Sequence, residues 1–198
     1  MSQDELQKLI NLISRLPGIG QRSAQRIALY LIKNKQELMI PLGDSVKETA
    51  EAVKKCNNCG ILDVIMPCKI CSSENRTKTT ICIVEDMADV WAFERSGYHK
   101  GLYHVIGGLL SASKNFTEQD LKLNRLKERI ENNKVHEVIL ALSATIEGQT
   151  TALVIKEALE TLNIKISQLA YGVPVGSEIH YLDDNTIGAA LESRKNLG

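Results

Sequence analysis

The sequence predicts an α+β chain assembled from several parts: an N-terminal helical hairpin, a short four-cysteine segment, an α/β domain with a mostly parallel sheet, and a C-terminal helical segment. Three observations predict it. The first forty residues place apolar side chains at helical spacing on either side of a Pro-Gly-x-Gly turn. Two Cys-x-x-Cys pairs follow within residues 56–71. From Thr79 onward, continuous apolar runs alternate with helical stretches, the pattern of buried parallel strands. The 198 residues allow one domain or two small ones. Apolar residues at 43 % and charged residues at 24 % are ordinary for a globular chain.

Composition excludes several functions. Lys+Arg and Asp+Glu both number 24, so the chain does not hold nucleic acid by bulk charge. Aromatics are 4 %, with Trp91 the single tryptophan, which argues against base-stacking platforms. No apolar run approaches the 18 or so residues of a membrane span, and the polar, acidic start does not suit a signal peptide. The expected compartment is the cytoplasm, where thiols stay reduced. Charge is uneven along the chain. Residues 1–40 carry six bases against three acids, and residues 141–198 carry four bases against seven acids.

Ser2-Gln3-Asp4-Glu5 fits a capping box, and Leu6, Leu9, Ile10 and Ile13 then line one helical face. Pro17 should end this helix near Arg15. After the turn Leu16-Pro17-Gly18-Ile19-Gly20, a second helix over 21–33 presents Ala24, Ile27, Ala28 and Leu31 on one face. The segment from Leu16 to Ala24 looks like a helix-hairpin-helix DNA-binding motif. Gly18 and Gly20 let the backbone approach a phosphate, and free amides at the second helix start face the anion. Arg22 and Arg26, one turn apart, add charged contacts that hold the backbone without reading sequence. The alternative is a tight turn with no ligand. Residues 27–32 are apolar all the way round, so a face with Leu29, Tyr30 and Ile32 needs a cover. That cover is another domain or a second copy of the chain; the alternative is its own next helix, expected over 44–55.

Cys56-Asn57-Asn58-Cys59-Gly60 and Cys68-Lys69-Ile70-Cys71 have the spacing of a tetrahedral zinc site. Four thiolates close the coordination sphere, so one Zn²⁺ per chain would be structural. Disulfides or a dithiol redox pair are the alternatives; the cytosolic setting and the odd fifth cysteine, Cys82, argue against the first. The segment 61–70 is too short for a core, so metal is expected to supply most of its folding energy.

Strands are expected over 81–84, 103–106, 138–142 and 164–169, and helices over 87–96, 117–132 and 149–162. No glycine-rich nucleotide fingerprint follows a strand. Glu85, Asp86 and Asp89 gather at one strand end and Glu147 follows another, an arrangement that suits either Mg²⁺ or helix N-termini.

The order of these parts, with Glu85-Asp86-Met87-Ala88-Asp89-Val90, Tyr103-His104-Val105-Ile106-Gly107-Gly108 and Tyr171-Gly172-Val173-Pro174-Val175-Gly176, resembles the RecR family of bacterial recombination mediators over nearly the whole chain. The resemblance implies a helix-hairpin-helix region over 1–55, a zinc finger over 56–71, a Toprim domain over 79–175 and a C-terminal segment over 176–198. It implies DNA binding in recombinational repair, with RecO and RecF as partners in loading recombinase onto gapped DNA, and a homodimer or tetramer. Catalytic Toprim proteins hold Mg²⁺ with a strand-end glutamate, matched by Glu85, and a later Asp-x-Asp pair. Here Leu142-Ser143-Ala144-Thr145 has no acid, so the expected role is non-catalytic. A small Mg²⁺-dependent Toprim nuclease using Glu85, Asp89 and Glu147 is the alternative; otherwise these acids are a partner surface or a vestige. Gln149 and Ser177 stand where the family usually has Glu and Gly.

Overall fold

The computed structural model describes residues 3–194, in two compact units that meet at the Val53–Lys54 bond. Ser2 of the expected capping box lies outside the described residues. The first unit contains α1 (Gln3–Ile13), α2 (Gln21–Lys33), a π-helical turn (Lys35–Met39) and α3 (Ile40–Ala52). Its core is the face that periodicity predicts: Ile10, Ile13, Ala24, Ala28 and Leu31 are buried, with Leu9, Ile19, Ile27 and Met39 around them. The third helix departs from expectation. It starts at Ile40 because Pro41 occupies the first turn, where its fixed φ is favourable. It stops at Ala52 because Lys54 and Lys55 enter a strand.

The second unit opens with a two-residue hairpin, β1 (Lys54–Lys55) against β2 (Leu62–Asp63), and a short helix, α4 (Lys69–Ser72). A four-stranded sheet follows, built from β3 (Thr77–Val84), β4 (Gly101–Val105), β5 (Glu137–Ala141) and β6 (Lys165–Gln168). The order is β4-β3-β5-β6 and every pairing is parallel. The helices are α5 (Met87–Ser96), α6 (Leu123–Asn132), α7 (Ile146–Leu159) and, near the C-terminus, α8 (Asp184–Glu192) after a 3-10 turn (Ile179–Tyr181). The expected helix over 117–132 begins only at Leu123: Asp120 accepts from the Thr117 amide and hydroxyl, and Lys122 then takes a left-handed φ of 52°.

Strand alternation divides the core. Ile81 and Ile83 of β3 join Leu126, Ile130, Ile155 and Leu159 from α6 and α7. Cys82 and Val84 face the other way, into a cluster shared by Val90 of α5, Tyr103, and the cysteine segment's own Cys56, Cys59, Cys68 and Ile61. That segment is therefore welded to the sheet by packing as well as by any metal, a contribution that counting its own short core misses.

β4 is an edge strand, and its unpaired side is served from outside the sheet. The Val105 amide donates to the Cys59 carbonyl at 2.7 Å, the Tyr103 carbonyl accepts from the Arg129 guanidinium, and the Gly101 carbonyl accepts from Arg76 at 3.3 Å. Among the described residues, no helix is long and apolar enough to cross a membrane.

Candidate metal centre and nucleic-acid interface

The two Cys-x-x-Cys pairs converge. Their four sulfur atoms lie within 4.8 Å of one another, with Cys56, Cys59 and Cys68 buried and Cys71 half-buried. The local backbone accounts for this. Cys56 N–H donates to the Ile61 carbonyl at 2.7 Å, and Gly60 N–H donates to the Cys56 carbonyl at 2.9 Å. Gly60 has φ +81°, and a Cβ there would come within 2.6 Å of the Val105 carbonyl oxygen, so both conformation and space call for glycine. Asp63 orders the connecting loop by accepting from the amides of Val64, Ile65 and Lys69. The Lys69 bond is the main reason its carboxyl lies below the usual range. Cys68 N–H then meets Cys56 Sγ at 3.4 Å, and Cys59 Sγ lies 3.5 Å from Cys68 Sγ.

Four sulfurs in this arrangement can hold one metal ion and leave no open coordination position. The hydrogen bond with Cys59 draws the Cys71 thiol down, against burial and with help from Arg129. Burial pushes Cys68 up to about 11. Arg129, itself only 8 % exposed, donates to Cys71 Sγ at 3.5 Å while its other branch holds the Tyr103 carbonyl. Nothing in the spacing of the cysteine segment itself points to this arginine. A signal was present: Arg129 interrupts the Leu126–Ile130 face of α6 at i+3, where periodicity calls for an apolar side chain.

In the first unit, Gly18 takes φ +77° and turns the chain between α1 and α2. Gly20 is the N-cap of α2 in extended conformation; it has no side chain to cap the helix, and the first turn carries no acid. The first amides of α2 thus lack a side-chain acceptor, and nothing crowds the space above Gly20. Arg22 and Arg26 are exposed, and neither forms an ion pair among the described residues. Ile19 is half-buried against the hairpin core. The arrangement offers unsatisfied donors, a helix dipole and two cations to one anion-bearing backbone. Leu29, Tyr30 and Ile32 remain 51, 60 and 43 % exposed. The chain's own α3 does not cover them.

Two of the acids at the strand ends, Asp86 and Asp89, have backbone partners. Asp89 accepts from the amides of Glu85 and Asp86, and Asp86 caps α5 in a reciprocal capping box. Burial and the neighbouring Asp89 and Asp86 push the Glu85 carboxyl upward. Glu147 is exposed in the first turn of α7, which Thr145 caps by accepting from Gly148 N–H. Among the described residues, the four cysteines are the sole group of three or more ligating side chains close enough to share an ion.

Two further polar groups escaped the sequence. Arg76 pairs with Glu94, which also accepts from the Tyr103 hydroxyl at 2.7 Å, tying the bend before β3 to α5 and β4. His104, 4 % exposed within β4, has an Nδ1 with no hydrogen-bond partner. Burial, then the charges of Arg129 and Arg125, hold it neutral, down to about 3.

Comparison with known proteins covers nearly the whole chain. Residues 6–50 match the family model described as RecR, helix-hairpin-helix; residues 79–170 match the Toprim domain; residues 172–195 match RecR, C-terminal. The chain is 51 % identical over 195 residues to Recombination protein RecR of Rhodospirillum rubrum, covering 98 % of this chain and 99 % of that one. It is 47 % identical over 193 residues to the proteins of the same name from Brucella anthropi and Brucella ovis, covering 98 % of this chain and 96 % of each.

Proposed function

Because the chain belongs to the RecR family of recombination proteins, we propose that it is a DNA-binding, non-catalytic mediator of recombinational repair. The observation that carries this is the uncapped start of α2 beside Arg22 and Arg26. Gly18 and Gly20 bring that start close to a phosphate, and the two arginines grip its neighbours. Removing one phosphate contact should flatten the slope of log K against log salt by about 0.9 on duplex, with little dependence on sequence. Arg22→Glu with Arg26→Glu should abolish measurable binding; wild-type affinity in that variant would move the DNA site elsewhere.

The remaining roles follow the family. The four cysteines hold one structural Zn²⁺, supported by the all-thiolate donor set. Metal analysis of protein purified without chelator should find close to one equivalent, and less than half would refute zinc. RecO and RecF are the proposed partners, with loading of recombinase on gapped DNA as the outcome and the cytoplasm as the place. Pull-down of purified RecO by this chain, with and without DNA, tests the first link. Two arginines give weak binding at physiological salt, so several copies around one duplex are needed. Leu29, Tyr30 and Ile32 supply an apolar face for a homodimer or tetramer. Light scattering that finds only 22 kDa species at tens of micromolar protein would refute that assembly.

A second possibility draws on the Toprim match: a Mg²⁺-dependent nuclease using Glu85, Asp89 and Glu147. The lack of an acid at Ser143-Ala144-Thr145, and the backbone bonds that occupy Asp89, weigh against it. DNA incubated with Mg²⁺ or Mn²⁺ should stay intact. Cleavage lost in Glu85→Gln would favour the nuclease.

A further inference from the structure

Beside the cysteine cluster, wholly within the second unit, lies a cavity of about 550 Å³. Residues from the C-terminal end of β4 line it, where parallel sheets commonly take ligands. Its size falls inside the roughly 300–1,000 Å³ of small-molecule sites. Three cations border it from three places: Lys55 on β1, Lys122 in the turn before α6, and Arg125 on α6. None of the three forms an ion pair among the described residues. Two carboxylates share the lining, but both already have donors. Asp86 accepts from the amides of Ala88 and Asp89, and Asp120 from the amide and hydroxyl of Thr117. Cys56 is also in the wall, so part of the positive charge offsets thiolates.

The second observation is His104. It lines the cavity, it is more than nine-tenths buried, and its Nδ1 has no partner. Folded proteins seldom leave a buried polar atom without a hydrogen bond, so its retention calls for an explanation in function. The lining is also amphipathic. Met87, Ile106 and Phe116 give an apolar side, and the Asn57 amide adds a donor and an acceptor.

We propose that this cavity binds a small phosphorylated ligand of the mononucleotide class, with the phosphate held by Lys55, Lys122 and Arg125 and the heterocycle against Ile106 and Phe116 near His104 and Asn57. A free nucleotide and the 5′-phosphorylated end of a DNA strand share this chemistry. The site uses no residue of the hairpin, so it stands or falls separately from DNA binding there.

Calorimetric titration of the full-length, metal-loaded protein at low salt tests it, with dTMP, AMP, thymidine and inorganic phosphate as probes. dTMP or AMP should bind saturably, and thymidine and inorganic phosphate at least about tenfold more weakly. Lys122→Ala with Arg125→Ala should weaken nucleotide binding about tenfold or more at an unchanged melting temperature, while Arg22→Glu with Arg26→Glu should leave it intact. Asn57→Ala, on the surface, gives a milder second probe. Trinucleotides with and without a 5′-phosphate then separate the sources. Preference for the phosphorylated end over dTMP supports a strand terminus, and preference for dTMP supports a free nucleotide. No saturable binding into the millimolar range, equal binding of dTMP and inorganic phosphate, or wild-type binding by the double variant overturns the proposal.

Discussion

Arg129→Met tests how the cysteine segment is joined to the sheet. Methionine keeps the apolar stem of a side chain that is 8 % exposed, and removes only the guanidinium. Two acceptors then lose their donor: the Tyr103 carbonyl on the open side of β4, and Cys71 Sγ. Hydrogen bonds to a charged group contribute roughly 1.5–3 kcal/mol each, and a buried carbonyl left unsatisfied costs about 1–3 kcal/mol. The Cys71 contact is long at 3.5 Å and falls at the weak end. A net loss of about 3 kcal/mol is therefore expected, or a fall of roughly 6–12 °C in melting temperature for a unit of this size. Urea denaturation followed by circular dichroism gives the free energy, and a colorimetric chelator gives the rate of metal release. Arg129→Lys, which supplies a point charge but no fork, should fall between wild type and Met. A Met variant within about 0.5 kcal/mol of wild type, with unchanged metal release, would refute the joint.

Three other outcomes follow from the geometry. Gly60→Ala forces a left-handed alanine whose Cβ meets the Val105 carbonyl, so denaturation should register a loss of about 2 kcal/mol or more together with weaker metal retention. His104 is neutral in the folded chain down to about 3, whereas an unfolded histidine takes a proton below about 6.5. The unfolded state thus binds more protons between these values, and stability should fall as pH drops from about 6.5, by up to about 1.4 kcal/mol per pH unit; His104→Gln should flatten that slope when urea midpoints are compared between pH 7 and pH 5. Cys82, fully buried in β3 with its thiol pushed by burial up to about 12, should resist a thiol reagent in the native protein and react on unfolding, which a thiol count with and without denaturant measures.

The features legible in the sequence are those set by spacing. The four cysteines needed only C-x-x-C twice, and α2 needed only the 3.6-residue repeat between Gly20 and Lys33. The strands of the sheet contain the apolar runs, but β3 starts earlier than expected, at Thr77, because the polar Thr77-Lys78-Thr79-Thr80 stretch before its apolar run also joins the sheet. Features that depend on tertiary placement were not legible. Arg129 stands 58 residues from the cysteine it touches, and no local pattern connects them. The start of α6 is not legible, because a side-chain cap at Thr117 and Asp120 looks like a helix start whether or not a helix follows. The hairpin motif gave the turn and its glycines, but whether α3 covers Leu29, Tyr30 and Ile32 is a matter of packing. The cavity beside His104 was invisible for the same reason, since its cations come from Lys55, Lys122 and Arg125.

The border formed by β4 ties the four-cysteine segment to colloidal behaviour. A strand with free amides and carbonyls along one side is a template on which another chain can extend the sheet, and folded proteins cover or charge such borders to prevent it. Here the cover is the cysteine hairpin's own Cys59 carbonyl, with Arg129 and Arg76 at the neighbouring positions. Loss of the proposed metal, or oxidation of the four thiols, should leave packing alone to hold the hairpin and expose the amide of Val105 more often. The damage then passes from one molecule to the next: the stripped protein should clump by strand addition well below the temperature at which it unfolds, and Tyr103→Pro should block that growth only at the cost of the fold. Repair of the thiols before clumping begins is the condition for recovering the chain.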